Sequence, residues 1–463
     1  MAKVLLVNPQ IANTRWGSGH NPVNMDEAFP RRSLTHLSAV LKQAQHEVLL
    51  LDLRLISGWD QYEQILGRAR PEIVCVTAHT IEADIAQECL MRAKAQLPES
   101  LTVAGGIHFT MFPEVPMRSG SADYVLRGEG EVTLPRLIAN PAATPQEVWG
   151  EAPDLDQLPF EDRSLYADYA GRINFPLWDL PRPIIDMLTS RGCPWSCRFC
   201  CGPGEKNLFT KTSVSNTQKR VAHIRRRSVD HVMDELRQLY KNYAFRGLVF
   251  HDDQFLVKPD WVQEFCDRMH KDGYVARKVQ WWAASRADMI CRYPDLVRTM
   301  KNSGLKVISI GFESFNDDIL RWLNKRVDRR KNMQAAEICR RLGLDVFANV
   351  MFGIPRSDGK WRIEDDLESL HAVMRIRPRY FSPSFFNPIP GSWFYDWAAK
   401  MGLLNERPIS SGGSRTLNQR WVKGVDYDRL NLLLHQLQPR LDSNWRRRMQ
   451  HYQSKFKAML RFC

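Results

Sequence analysis

The feature that most constrains this 463-residue chain is an alternation of short apolar runs with amphipathic helical patterns, sustained over most of its length. In the first 140 residues the runs are KVLLVNP (3–9), HEVLLLDLR (46–54), EIVCVTA (72–78), LTVAGG (101–106) and ADYVLRGEGE (122–131). Between them lie stretches with helical periodicity, such as LTHLSAVLKQA (34–44) and IEADIAQECLMRAKAQL (81–97). Strands alternating with helices at this spacing predict βαβ units and a doubly wound, Rossmann-like parallel sheet over residues 1–140. Sheets of this kind bind ligands at the carboxyl ends of their strands, where the loops gather. Thr77, Gly105 and Gly106 fall at such ends and are candidate ligand contacts, as is the GEGE string at 128–131. Paired glycines let a flat or phosphorylated ligand approach the backbone closely, although a tight turn explains them equally well.

The alternation breaks at DLDQLPFEDRSLY (154–166), whose prolines and acids mark a linker placed at 141–182. It resumes with PIIDMLTS (183–190), GLVFHDDQF (247–255), VQWWAAS (279–285), LKVISIGFES (305–314), DVFANVMFGIP (345–355) and RYFSPSFFNPIPG (379–391). Helical patterns such as SVDHVMDELRQLYKNY (228–243) separate these runs. Six strands so spaced predict a partial (β/α)6 barrel over 183–395, with its chemistry at the strand carboxyl ends. Residues 396–463 read as a helical C-terminal region with a basic face, capping the barrel or gripping an anionic small substrate.

The first barrel run leads directly into SRGCPWSCRFCCGPG (190–204), with cysteines at 193, 197, 200 and 201. Cys193, Cys197 and Cys200 are spaced C-x3-C-x2-C, and three thiolates so close together suit an iron–sulfur cluster. A zinc site would want a fourth Cys or His nearby. Cys201 is not expected to ligate, because side chains of adjacent residues point apart. Three ligands on a four-iron cubane leave one iron open to a further ligand.

This spacing, with Phe199 before the last cysteine, resembles the radical S-adenosylmethionine (SAM) superfamily. The resemblance implies a 4Fe-4S cluster on Cys193, Cys197 and Cys200 whose open iron chelates the amino and carboxylate groups of SAM. It also implies that an electron from the reduced cluster breaks a carbon–sulfur bond of the sulfonium. The polar residues that close the barrel runs then become SAM contacts. Asp252 or Asp253 would accept from the ammonium, Arg286 would pair with the carboxylate and Glu313 would take a ribose hydroxyl, with Ser285 and Ser314 beside them. For each of these, a salt bridge on the barrel rim is the plainer alternative.

Further strings narrow the resemblance. VFHDDQF, SRADMI, GLKVISIGFES, LNKRV, FGIP and NPIPGSWFYDWAAKMGL (387–403) resemble the subgroup carrying an N-terminal cobalamin-binding domain. So do AGGIHFTMFPE (104–114), VLRGEGE (125–131) and DLDQLPFEDR, and the likeness spans residues 3 to about 405. It implies cobalamin as a cofactor and, foremost, methyl transfer to an unactivated carbon or phosphorus of a small natural-product-type substrate. Ring-forming cyclases belong to the same subgroup. The D-x-H-x-x-G string that places a histidine on cobalt is absent from residues 1–140, as it is from many members. His79 and His108 lie near the expected corrin face, a loop histidine bonded to backbone being the plainer reading.

A different SAM reaction, transfer of a 3-amino-3-carboxypropyl group to a soft nucleophile such as trivalent arsenic, draws its support from the surplus thiols Cys201 and Cys463. From another class comes RNA binding or modification. Related tRNA-modifying enzymes carry a second cluster and a small RNA-binding barrel, and this chain has no second cysteine triad. The net charge of +13 gathers in QKRVAHIRRR (218–227) and the last thirty residues without interleaved aromatics, so nucleic acid is not the expected partner. The expected partners are a small substrate, possibly anionic, and an electron donor such as flavodoxin or ferredoxin. Trp281, Trp282, Phe385, Phe386 and Trp393 are candidates for an apolar pocket wall, or for core. No apolar run approaches the roughly 20 residues of a membrane span, MAKVLLVNPQ reads as a first strand and not as a signal peptide, and six scattered cysteines form no disulfide framework. A cytoplasmic protein is therefore expected.

Overall fold

The computed structural model describes residues 1–10, 30–169, 179–202, 224–405 and 420–441. They divide into two compact units, one running to residue 169 and including Arg225, the other beginning at residue 179.

The first unit is built on β1 (Lys3–Asn8), β2 (Glu47–Asp52), β3 (Ile73–Thr77), β4 (Leu101–Gly105), β5 (Tyr124–Arg127) and β6 (Glu147–Trp149). All are parallel, in the order β2-β1-β3-β4-β5-β6. Alternate side chains serve the two faces. Leu5, Val7, Val74, Val76 and Ala104 pack on the helices Trp59–Ala69 and Ala83–Gln96. Val4, Leu6, Ile73, Cys75 and Val103 pack on Arg32–Gln43 and Thr133–Ala139. Burial on both faces explains why these strands read as continuous apolar runs. The doubly wound sheet is therefore as expected, with two differences. The run at 122–131 is strand only to Arg127, because Gly128 turns at φ +84. The short strand β6 lies beyond the boundary placed at 140, in what had read as linker. It is three half-buried residues at the sheet edge, too short for periodicity to reveal, and the Arg127 guanidinium stacks on its Trp149 ring at 4.1 Å.

The second unit opens with β7 (Ile184–Met187). A two-stranded ribbon of β8 (Ser190–Arg191) and β9 (Arg225–Arg226) follows. Then come β10 (Gly247–Phe250), β11 (Gln280–Ser285), β12 (Leu305–Glu313), β13 (Asp345–Phe352) and β14 (Tyr380–Phe385). The six long strands are parallel and stand in chain order, β7-β10-β11-β12-β13-β14, as a partial barrel requires. All but β11 end before their apolar runs do; the run at 247–255, for example, stops pairing at Phe250.

Strand β13 shows how this sheet is used. Its burial alternates strictly, with Val346, Ala348, Val350 and Phe352 buried toward the helices and Asp345, Phe347, Asn349 and Met351 half-open on the other face. The register carries that second face across the sheet through Asp186, Val249, Trp282, Val307 and Ser309. Four helices of this unit start on side-chain caps: the oxygens of Ser228, Asn316, Asp328 and Ser392 accept from backbone N–H groups three residues on. Of the C-terminal region, Trp393–Lys400 and Tyr427–Leu441 are helical, and residues 442–463, with Cys463 and most of the basic tail, lie outside the described residues. Among the described residues no helix is long and apolar enough to cross a membrane.

Candidate active site

The cysteine loop leaves the sheet after β7 and is fastened at its start by Asp252. That buried carboxylate accepts from Thr189 N at 3.0 Å, from Thr189 Oγ1 at 2.6 Å and from the Ser190 hydroxyl, and it pairs with Arg226 at 3.5 Å. Arg226 in turn stacks on Trp261, 4.3 Å from the ring centroid. Asp252 therefore serves as the anchor of the loop, and every bond the structure gives it is internal. This is the rim salt bridge that the sequence left open as the plainer reading.

Asp253 differs. It is exposed, no hydrogen bond to it occurs among the described residues, and its charge is felt by Cys193 and Cys200. Crowding by surrounding protein, with the Asp252 charge alongside, raises its carboxyl to about 6.

Within the loop Cys197 is buried, Cys193 half-buried and Cys200 exposed. The Cys200 N–H donates to the Cys197 carbonyl at 3.3 Å, forming a tight turn. Burial raises the Cys197 thiol, and two cations oppose it, Lys325 and Arg286. Arg286 donates to Cys197 Sγ at 3.7 Å, lies over the Trp195 ring at 4.5 Å, and is bound to Asp288 at 2.9 Å and to the Lys325 carbonyl. Lys325 is buried, 2.9 Å from Glu313 and 5.7 Å from the Phe199 ring centroid. The thiols are not closed around one point, since no three metal-binding side chains converge among the described residues. The donor set nonetheless fits a thiolate-held cluster: three soft ligands in one short loop, with two cations beside Cys197. Cys200 also hydrogen-bonds Cys201, which pushes its own thiol up.

Glu313 ends β12 at φ +64, a left-handed conformation uncommon for a residue with a side chain. Its carboxylate folds back over Gly311, where an added Cβ would stand 2.4 Å from Oε1 and push the carboxylate aside. Ser285 and Ser314 are buried in local bonds, the first to the Arg286 carbonyl and the second to Ser369 and Asn316 N. The expected aromatic wall divides. Trp281 and Phe385 belong to the core under the helices, Phe386 packs on Phe394, Trp282 faces the other side of the sheet, and Trp393 is 43% exposed.

Residues that sequence reasoning missed lie on the open face of this sheet. His251 Nε2 and the buried Asp186 Oδ2 are 3.1 Å apart, and Asn349 Nδ2 donates to Ser309 Oγ at 2.9 Å. Ser382 and Ser384 continue this face on β14. The one available signal was an acid inside an apolar run, Asp186 in PIIDMLTS. Lys325 was present in the LNKRV string, but nothing in the chain tied it to Cys197.

In the first unit the expected ligand edge is tightly built. Gly106, at φ +91, sits against the β3 loop, and a Cβ there would lie 2.6 Å from Thr77 Oγ1 and 2.8 Å from Ala78. The glycine thus serves the approach of one loop to another; a Cβ at Gly105 would meet only an ordinary contact at 3.7 Å. His79 is held by Arg31 at 2.9 Å and by Glu82. His108 is buried against Phe109 and Phe112, kept neutral by burial with its pKa lowered to about 4, and its Nδ1 has no partner among the described residues. A neutral imidazole with an unsatisfied nitrogen at the ligand edge is the feature here that fits a group such as cobalamin.

Comparison with known proteins bears on both units. The radical SAM superfamily profile matches residues 187–367, and the B12 binding domain profile matches residues 24–138. An uncharacterized methyltransferase of Pyrococcus horikoshii is 24% identical over 425 residues, covering 88% of this chain and 84% of that one. The hopanoid C-3 methylase of Methylococcus capsulatus is 28% identical over 375 residues, 76% of this chain and 66% of its own length. Among solved structures, the radical SAM methyltransferase TsrM from Kitasatospora setae superposes with a TM-score of 0.61 at 17% identity, over 87% of this chain and 78% of that one, a likeness of fold.

Proposed function

We propose, from the premise that this chain belongs to the radical SAM superfamily in the subgroup with an N-terminal B12-binding domain, that it is a cobalamin-dependent methyltransferase acting on a small polar molecule. The observation that carries the reading is the joining of the two domains in one chain, with Cys193, Cys197 and Cys200 in the loop that follows β7 and β8. When bound, a 4Fe-4S cluster would supply the electron that cleaves SAM, and cobalamin would carry the methyl group. Cys193, Cys197 and Cys200 would hold the cluster, with Arg286 and Lys325 offsetting its charge. Asp253, which has no hydrogen bond among the described residues, would accept from the SAM ammonium; Asp252 positions the loop. Glu313, held by Lys325, would accept from a ribose hydroxyl.

The open face of the second sheet supports the polarity of the substrate. Asp186–His251 and Ser309–Asn349, each already hydrogen-bonded within its pair, line that face with Ser382 and Ser384 and keep spare donor and acceptor capacity for a polar substrate. The test requires no knowledge of the substrate. The protein is reconstituted anaerobically with iron and sulfide, given SAM and dithionite with and without cobalamin, and the products are identified by mass spectrometry. S-adenosylhomocysteine with 5′-deoxyadenosine, dependent on cobalamin, is the expected result. Methylthioadenosine formed without cobalamin dependence would overturn methyl transfer in favour of aminocarboxypropyl transfer.

A further inference from the structure

Cys201 has no part in holding the cluster, yet its side chain is not turned away from its neighbour. Cys200 and Cys201 are joined by a hydrogen bond between their thiols, where adjacent side chains were expected to point apart. Backbone bonds on both sides fix this arrangement. The Cys200 N–H donates back to the Cys197 carbonyl at 3.3 Å, and the Gly202 N–H donates to the Cys200 sulfur. No third metal-binding side chain among the described residues converges on the pair.

Access singles out the same pair. Among the described residues Cys200 is the one exposed cysteine; Cys193, Cys201 and Cys291 are half-buried, and Cys75, Cys89, Cys197, Cys266 and Cys339 are buried. An oxidant arriving from water therefore meets Cys200 first, with a second sulfur already in contact with it.

We propose that Cys200 and Cys201 are a site of reversible oxidative modification: while no cluster is bound, peroxide closes them into a vicinal disulfide that shields the ligand thiol from further oxidation. Hydrogen peroxide takes the Cys200 thiol to a sulfenic acid and departs as water. The Cys201 thiol then displaces the sulfenic oxygen as a second water, and the sulfur–sulfur bond forms. Two electrons pass from the thiols to the peroxide, and both thiol hydrogens leave in water. A sulfenic acid with no thiol beside it goes on to sulfinic and sulfonic acids, which do not return. The bridge is also built to reopen. Adjacent Cα atoms stand about 3.8 Å apart across a trans peptide, short of the roughly 4.4–6.8 Å that disulfides ordinarily span, so the bridge is strained. Strained and exposed disulfides are the readily reduced ones, and a dithiol such as thioredoxin becomes a disulfide itself as it returns the pair to thiols. Cys200 cannot bind iron while it is bridged. That consequence rests on the ligand assignment above; closure of the pair does not.

The tryptic peptides separate the thiols for the test. Trypsin cuts after Arg191, Arg198 and Lys206, so Cys193 and Cys197 leave on residues 192–198, GCPWSCR, and Cys200 and Cys201 on residues 199–206, FCCGPGEK. Cluster-free protein is treated with hydrogen peroxide, remaining thiols are alkylated, and the peptides are weighed by mass spectrometry. Peptide 199–206 should come out unalkylated and lighter than the dithiol by two hydrogen atoms, and doubly alkylated again after thioredoxin. Oxidised wild type should lose iron uptake and regain it with thioredoxin. Cys201→Ala should take up iron normally before peroxide, then gain two oxygens at Cys200 and stay without iron after thioredoxin. Peptides 192–198 and 199–206 joined to each other in the wild type, or Cys201→Ala recovering as the wild type does, would overturn the proposal. A bridge within 199–206 that leaves iron uptake intact would instead remove Cys200 from the ligand set, while the modification itself stood.

Discussion

Asp252 and Asp253 are adjacent, identical in chemistry and opposite in surroundings, and no property of the string HDDQF distinguishes them. Asp252→Asn would leave Thr189, Ser190 and Arg226 facing an amide, and losing a buried ionic anchor costs about 3 kcal/mol or more. The expected outcome is poor iron retention and a lowered unfolding midpoint. Asp253→Asn should fold and hold its iron normally, and weaken SAM by about tenfold through loss of one charge-assisted bond. Equilibrium dialysis with labelled SAM, beside an iron assay, distinguishes the two; equal SAM affinity in Asp253→Asn would remove it from the site. Alanine at Cys193, Cys197 or Cys200 should abolish the iron–sulfur absorbance and SAM cleavage, whereas Cys201→Ala keeps both. Loss of the cluster in Cys201→Ala with retention in Cys200→Ala would reverse that ligand assignment.

At the scale of elements, the glycines after β4 and the acid that opens the helix Ile363–Ile376 each show local geometry overriding composition. Gly106→Ala meets both a positive φ and contacts under 3 Å, so it should destabilise the first unit by about 2 kcal/mol or more, while Gly105→Ala should be near neutral. Urea unfolding of the two variants measures this directly. Asp366 is buried, accepting from Gly353 N at 3.1 Å and from Trp361 Nε1 at 2.7 Å, yet burial still raises its carboxyl to about 7, with Asp365 adding to the rise. A carboxyl whose folded value lies above its unfolded value of about 4 contributes stability that is complete below pH 4 and lost as pH rises through 7. Asp366→Asn does not titrate. Its unfolding midpoint relative to wild type should therefore shift in its favour between pH 5 and pH 8, and a difference constant with pH would contradict the assignment.

At the scale of the molecule, the two units have separate sheets and separate cores, so calorimetry of the intact chain should resolve two transitions rather than one. Hydroxocobalamin should raise the transition that Gly106→Ala lowers and leave the other in place, since a ligand stabilises the unit that binds it. A single transition, or one insensitive to cobalamin, would count against that site. The sequence by itself determined the strand-and-helix alternation, the six barrel strands and the thiol spacing, because each is a matter of near neighbours in the chain. Periodicity and C-x3-C-x2-C are complete within a few residues. It could not show β6, whose three residues carry no period, nor Asp186 against His251, 65 positions apart, nor Lys325 and Arg286 beside Cys197. Those pairings arise when parallel strands distant in sequence are set side by side in register. Only then does burial decide which of two neighbouring acids is held within the fold and which remains open to a ligand.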